Sequence, residues 1–292
     1  MICVRLMGGL GNQMFQYAAG RRLALARRTR LVLDCSWFVR DAQRAATPRA
    51  FELDCFDLPA ERAVLEHETI AVWEWCDRHP LRSRVSRHAF RKRVVVLRGD
   101  GGERPFDPAV LDAPGSALLI GYWQSPRYFG GVESQIRDDF RFALAGTEHE
   151  ESLLAEIRTS PAVSIHVRRG DYVGSERFTA LPAAYYRDAV AAIAERTGSP
   201  HLYVFSDDVP WCREHLELPF PTVFVERPAG HPGGDLRLMS SCRHHVISNS
   251  TFGWWGAWLN PSREKIVVAP RRWFREPAQD PVDIVPAGWL QI

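Results

Sequence analysis

From about Glu148 onward the chain alternates short apolar runs with helix-length stretches, and this pattern constrains the fold more than any other feature of its 292 residues. The strand-like runs are Val163 to Val167, Leu202 to Phe205, Val223 to Val225, His245 to Ile247 and Ile266 to Val268. Between them lie helical patterns from Pro182 to Arg196, from Pro210, from about Gly234, and from Thr251 to Leu259. Parallel strands need a crossover that returns the chain to the same end of the sheet, so strands alternating with helices predict a parallel, doubly wound α/β sheet. The amino terminus begins the same way. Ile2 to Met7 reads as a strand, Gly8-Gly9-Leu10-Gly11-Asn12 as a turn, Gln13 to Arg28 as a helix and Leu31 to Leu33 as a strand. The pattern then weakens. Arg40 to Arg49 reads as a loop, Ala60 to Cys76 as a helix, and Val94 to Leu97 and Ala117 to Ile120 as short strands. The basic stretch Arg82 to Arg93 fits no element, and Arg98 to Pro108, with its glycines, reads as a mobile loop. Two domains are expected, 1–146 and 147–292, with the proline-rich tail 271–292 packing back on the first.

Charge excludes one class of partner. Of the 37 basic residues only Lys92 and Lys265 are lysines, so Arg occurs wherever a basic residue falls and arginines such as Arg21, Arg22, Arg27 and Arg28 read as a solvated helix face. With 35 acidic residues and a net charge of +2, the chain lacks the positive field that nucleic-acid binding uses. Its six cysteines, Cys3, Cys35, Cys55, Cys76, Cys212 and Cys242, are dispersed without a C-x-x-C pair, which argues against disulfides or a zinc cluster and fits a reducing compartment. The run Ile2 to Met7 is too short for a signal-peptide core, and no apolar stretch is long enough to span a bilayer. A cytoplasmic protein is expected, with peripheral contact at the inner face of the membrane left open.

The segment Ser164-Ile165-His166-Val167-Arg168-Arg169-Gly170-Asp171-Tyr172 carries the strongest chemical signal. Ile165 and Val167 alternate with His166 and Arg168, and Gly170-Asp171 stops the run, as in a central strand ending in a loop. His166 and Arg168 then share one face. Ligands of open α/β sheets bind at the carboxyl ends of strands, and paired guanidinium forks suit phosphate oxygens. An edge strand with solvated arginines is the alternative.

Three other segments could carry chemistry. The glycines from Gly8 to Gly11 sit between strand and helix, where backbone amides can approach an anion or a polar sugar. The same residues read as a dinucleotide fingerprint, Gly9-x-Gly11-x-x-Met14 with Asp34 as the ribose acid, flawed by Met14 where close helix packing asks for Gly or Ala. Ser248-Asn249-Ser250-Thr251-Phe252-Gly253-Trp254-Trp255 opens a helix, where hydroxyls can cap it or bind phosphate, while the Trp pair reads as core. Tyr203-Val204-Phe205-Ser206-Asp207-Asp208 ends a strand in acids that cap the next helix or hold a metal, yet the chain nowhere contains an Asp-x-Asp spacing. Asp235 reads as a helix-dipole partner, or as a carboxylate for a guanine edge.

These residues together resemble the α-1,2-fucosyltransferases of glycosyltransferase family 11. The resemblance runs through Gly8-Gly9-Leu10-Gly11-Asn12-Gln13-Met14-Phe15-Gln16-Tyr17-Ala18, Phe51-Glu52-Leu53-Asp54, Gly121-Tyr122-Trp123-Gln124-Ser125, His166 to Tyr172, Tyr203 to Asp208, and Ser248 to Phe252 as far as Trp258. Gly253 departs from it, at a position where Ser is expected. The resemblance implies a GT-B architecture, two Rossmann-like domains facing across a cleft, and an inverting transfer of L-fucose from GDP-L-fucose to the 2-hydroxyl of a terminal galactose, with no cofactor or metal. It assigns Arg168 and Arg169 to the diphosphate, His166 and Asp235 to guanine, and Ser250, Thr251 and Phe252 to phosphates or base. Gly9, Gly11, Ser206 and Asp207 join the donor side, Tyr122, Trp123 and Gln124 the acceptor side, and Asn12 the reaction centre. Asp171 is the first candidate for general base or else a partner that orients the arginines, with Glu52 and Asp54 open.

Overall fold

A computed structural model describes residues 1–41, 47–66, 69, 71, 95–99, 105–143, 145–226, 232–276 and 283–292. The chain divides into two units, Met1–Ala143 with Pro281–Ile284, and Leu144–Asp280 with Val285–Ile292. Of the tail, only Pro281–Ile284 groups with the first unit, where Asp283 accepts a hydrogen bond from the Phe106 amide (2.9 Å).

The first unit is built on a parallel sheet of β1 (Ile2–Arg5), β2 (Leu31–Asp34), β3 (Glu61–Ala63), β4 (Val95–Arg98) and β5 (Ala117–Ile120), in the order β3-β2-β1-β5-β4. Helix α1 (Leu10–Ala26) returns the chain from β1 to β2, followed by α2 (Ser36–Arg40) and, after β5, α3 (Glu133–Asp139). Helix α1 starts three residues earlier than its pattern indicates, so Gly11 and Asn12 already belong to its first turn. Its close approach to the sheet occurs at Gly20, where a Cβ would fall 2.2 Å from Val4 Cγ2. Glu61–Ala63, expected to be helical, is instead a strand paired with β2 through Leu33 and Arg62. Nothing local favours it; the unpaired N–H and C=O groups along β2 do. Most of the expected helix to Cys76, the basic stretch Arg82 to Arg93 and residues 100–104 of the glycine-containing loop lie outside the described residues.

The second unit opens with α4 (Glu148–Thr159), whose start is a capping box: Thr147 Oγ1 accepts the Glu150 amide (3.2 Å) and Glu150 Oε2 accepts the Thr147 amide (2.7 Å). Six parallel strands follow: β6 (Ala162–Val167), β7 (His201–Ser206), β8 (Thr222–Phe224), β9 (His244–Val246), β10 (Val267–Ala269) and β11 (Leu290–Gln291). The helices between them are α5 (Ala183–Thr197), α6 (Val209–His215), α7 (Pro232–Ser241) and α8 (Thr251–Leu259). The strand order β8-β7-β6-β9-β10-β11 is that of a dinucleotide-type Rossmann sheet. Strand β6 lies between β7 and β9 with all six residues buried, which removes the edge-strand reading. On one face Val163, Ile165 and Val167 join Tyr186, Ala189, Val190 and Ile193 of α5 in a core cluster. The other face is polar but satisfied. Ser164 Oγ meets His245 Nδ1 (2.8 Å), and Asn260 Nδ2 reaches His245 Nε2 (2.9 Å), so Nε2 accepts and Nδ1 carries the proton toward Ser164. Trp254, Trp255 and Trp258 are buried and pack on one another, as core rather than sugar platform. No helix among the described residues is long and apolar enough to cross a membrane.

Candidate active site

In the second sheet the chain winds outward from β6 through β7 and β8, and in the opposite direction from β9 through β10 and β11. The segments leaving β6 and β9 therefore diverge over the carboxyl ends of the strands, which is where sheets of this kind hold ligands. Arg168 to Tyr172 leave β6, and Ile247 to Ser250 lead from β9 into α8. Tyr172 bridges them, its hydroxyl donating to the Asn249 carbonyl (3.1 Å).

Both arginines are already aimed by carboxylates. Arg168 donates from Nε and Nη2 to Asp171 Oδ1 (3.0 and 2.7 Å), and its Nη1 is ion-paired with Asp207 Oδ2 (3.0 Å). Arg169 donates from Nε to Asp208 Oδ2 (3.2 Å), and its guanidinium stacks 3.7 Å from the centre of the Trp211 ring. Burial alone would lower the Arg168 guanidinium, but the charges of Asp207 and Asp171 outweigh it and leave the group raised. Arg168 is therefore a permanent cation, with the N–H of Nε and one of Nη2 given to Asp171. Asp208 caps α6 by accepting the Trp211 amide (3.1 Å), as its place before Pro210 indicates. Ser206 and Asp207, expected on the donor side, both meet protein groups: Ser206 Oγ accepts the Asp208 amide (2.9 Å), and Asp207 Oδ1 accepts the Arg169 amide (2.9 Å). A carboxylate facing a diphosphate would repel it, so its use on the arginines is the chemically sensible one.

His166 is 6% exposed, with Nδ1 2.9 Å from Ser248 Oγ and its ring beside Phe252. Burial, with a smaller contribution from the Arg168 charge, pushes it down to about 3, so the imidazole is neutral at physiological pH and offers one donor and one acceptor. Gly253 explains itself here. A Cβ on Gly253 would lie 2.6 Å from His166 Nδ1 and 2.9 Å from Cγ, so the missing side chain makes room for the ring. Ser250 caps α8 through the Phe252 amide (3.3 Å) and is buried, whereas Thr251 and Phe252 in the first turn stay half-exposed. Asp235 lies half-buried in the first turn of α7.

Gly9, Gly11 and Asn12 belong to the other unit, at the switch point between β1 and β5. Gly8 takes φ +75°, and Tyr122 from the loop after β5 lies against it. Gln124 Nε2 donates to Asn12 Oδ1 (2.7 Å). Gln13, wholly buried, donates from Nε2 to the carbonyls of Gly8 (2.9 Å) and Ala50 (2.8 Å) and accepts the Glu52 amide (3.0 Å), so the turn is tied to the Phe51-Glu52-Leu53-Asp54 motif. Glu52 is half-buried there and Asp54 exposed. Trp123, expected to meet the acceptor, is 5% exposed, sits at φ +53° and packs edge-on to Tyr128. The dinucleotide reading also loses its acid: Asp34 is wholly buried, paired with Arg5 (3.0 Å) and accepting the Ser36 and Leu65 amides.

Comparison with known proteins agrees with this geometry. The family model for glycosyl transferase family 11 matches residues 112–292, both switch-point loops after β5 and β6 included. An α-1,2-colitosyltransferase of Escherichia coli is 30% identical over 300 residues, covering 100% of this chain and 99% of that protein. The chain is a family 11 glycosyltransferase. The transferase is also 33% identical over 288 residues to the O-antigen biosynthesis glycosyltransferase WbnK of Escherichia coli, covering 92% and 93% of the two. With galactoside α-(1,2)-fucosyltransferase 1 of Saimiri boliviensis boliviensis it shares 30% over 265 residues, 86% of this chain and 63% of the relative. In fold it is similar to a mutant of Arabidopsis thaliana FUT1 solved in complex with GDP, with a TM-score of 0.54 at 13% identity, covering 98% of this chain and 74% of that one. The architecture of the transferase is GT-B, two Rossmann-like units of parallel α/β type.

Sequence reasoning missed the roles of Gly170, Gly253 and Trp211. A glycine after paired arginines and a tryptophan three residues past an Asp cap are signals only when the partner across the sheet is known.

Proposed function

We propose that the transferase moves L-fucose from GDP-L-fucose to the 2-hydroxyl of a terminal galactose, with inversion and without a metal ion, forming an α-1,2 linkage. One observation carries the reading: two guanidiniums aimed by carboxylates at the carboxyl end of the central strand β6, beside the amino terminus of α8. Breaking the glycosidic bond leaves an oxocarbenium-like carbon and a polyanionic leaving group, and preorganised donors that stabilise that growing charge lower the barrier. Arg168, with Thr251 and Phe252 in the first turn of α8, supplies charge where the diphosphate would lie, while neutral His166 and Asp235 are suited to a base edge. Asp171 spends its Oδ1 on Arg168, which favours the orienting role over the general base.

A second donor has a specific observation behind it. The full-length relative described as an α-1,2-colitosyltransferase makes a colitosyl donor the alternative at the same site. Purified protein incubated with GDP-fucose and a panel of galactosides in excess chelator, followed by linkage analysis, tests the reading. An α-1,2-fucosylated galactoside is the expected product. Transfer only from the colitosyl donor would replace the fucose assignment, and activity that vanishes with chelator and returns with manganese or magnesium would remove the metal-free step.

A further inference from the structure

We propose that Asp207 is the positioning residue that locks the arginine pair, and that position 170 is glycine to admit its carboxylate. The proposal rests on the reading of this strand end as the leaving-group site. Asp207 follows β7, the neighbour of β6, and joins two donors of the segment after β6: its Oδ1 accepts the Arg169 amide (2.9 Å) and its Oδ2 meets Arg168 Nη1 (3.0 Å). One carboxylate thereby fixes both the backbone at Arg169 and the plane of the Arg168 guanidinium.

Charge supports positioning over ligand binding. Asp171, Asp207 and Asp208 against Arg168 and Arg169 give the cluster a formal excess of one negative charge, so the acids cannot be there to attract a diphosphate. Gly170 supplies the steric half. A Cβ on it would stand 2.6 Å from Asp207 Oδ2 and 3.4 Å from Asp207 Cγ, and among the described residues beyond its chain neighbours it would meet no other within 4 Å. Its backbone is not at positive φ, so alanine there strains nothing but that carboxylate.

The two aspartates on Arg168 differ in what can replace them. Asp171 takes Arg168 Nε and Nη2 together at Oδ1, whereas Asp207 divides its two oxygens between Arg168 and the Arg169 amide. Asp207 needs an acceptor at each oxygen because both its partners donate, and an amide offers one acceptor and one donor. Asp207→Asn would set an N–H against either the Arg168 guanidinium or the Arg169 amide.

The test is steady-state kinetics and calorimetric GDP titration of Asp207→Asn, Asp207→Ala, Asp171→Asn and Gly170→Ala, each first checked by thermal melting, with Arg168→Ala as control. Misaiming a catalytic group by about 1 Å costs about a hundredfold in rate. Asp207→Asn and Asp207→Ala should therefore both lose about that in kcat, with GDP affinity changed much less. Asp171→Asn should lose less than Asp207→Asn, and Gly170→Ala should reproduce the kcat loss with no change in charge. The lock is overturned if Asp207→Asn or Gly170→Ala keeps kcat near wild type, or if Asp171→Asn is the more damaging, which would give Asp171 the base role. Should the Asp207 variants not fold, Gly170→Ala decides alone. If Arg168→Ala itself transfers at the wild-type rate, the leaving-group site fails; if only Arg168→Ala is impaired, the site stands and the lock fails.

Discussion

The two switch points of this transferase are built from different chemistry. Over β6 and its neighbours, formal charges meet: two guanidiniums, three carboxylates and a buried imidazole, brought together from the segments at the ends of β6 and β7. Over β1 and β5 a positive-φ glycine, the amides of Asn12, Gln13 and Gln124 and the ring of Tyr122 converge, with Arg49 and Glu52 beside Gly9. A charged crevice matches a leaving group that gains charge in the transition state. Neutral amides, which cost less to desolvate than ions, match an uncharged sugar hydroxyl. Two parallel sheets of different strand order thus present different groups at their strand ends.

The largest effect that could break this contrast is at Arg168. Arg168→Ala should lose on the order of 3–4 kcal/mol of transition-state stabilisation, appearing in kcat more than in binding. Arg168→Lys keeps the charge but not the fork, and should also be severely impaired. Transfer within about threefold of wild type by both folded variants, far less than such a donor is worth, would remove the charged crevice from catalysis.

Asp235 sharpens the same side. If it holds a guanine edge, Asp235→Ala should weaken GDP and GDP-fucose alike by about 1–3 kcal/mol, the cost of leaving a buried polar group unpaired. Calorimetry with GDP measures it, and unchanged affinity takes Asp235 out of the site.

Asn12→Ala probes the neutral crevice. It removes the acceptor of the Gln124 amide, so turnover should fall by about tenfold, the worth of one neutral hydrogen bond of about 1.4 kcal/mol, while GDP affinity stays put. Loss of GDP binding in this variant would erase the division of labour between the two crevices.

A separate effect is in stability. The His166 pKa is depressed from 6.5 to about 3 in the folded protein, chiefly by burial, so the unfolded chain binds a proton more readily and stability falls as pH drops from 6.5 toward 3. His245, buried in the same unit, is depressed as well and adds to the slope. Denaturant unfolding of His166→Asn across that window should show a shallower acid loss than wild type; an unchanged slope would mean the imidazole is not buried neutral.

Much of the second unit was legible because its signals are local. The strand ending in Val167, the helix from Thr251 and the Asp208 cap each follow from residues within one element, and the structure places them within a residue or two of expectation. The amino-terminal half was less legible where elements depend on partners. Glu61–Ala63 has a helix-like composition and becomes a strand only because β2 offers an edge. The capping box at Thr147 was a local signal that a strand-first reading passes over.

By itself, then, the sequence determined the alternation of strands and helices, the placing of His166, Arg168 and Arg169 at a strand end, and the family. Those follow from periodicities of two and 3.6 residues and from side-chain chemistry, all of which act along the chain. Which groups those residues meet was decided by the tertiary structure. Asp207 reaches Arg168 across 39 positions of sequence only after β6 and β7 pair in register, and Gly253 admits the His166 ring only once α8 lies over the end of β6. A side chain's direction is a local property, whereas its partner is fixed by the register and close packing of elements distant in sequence.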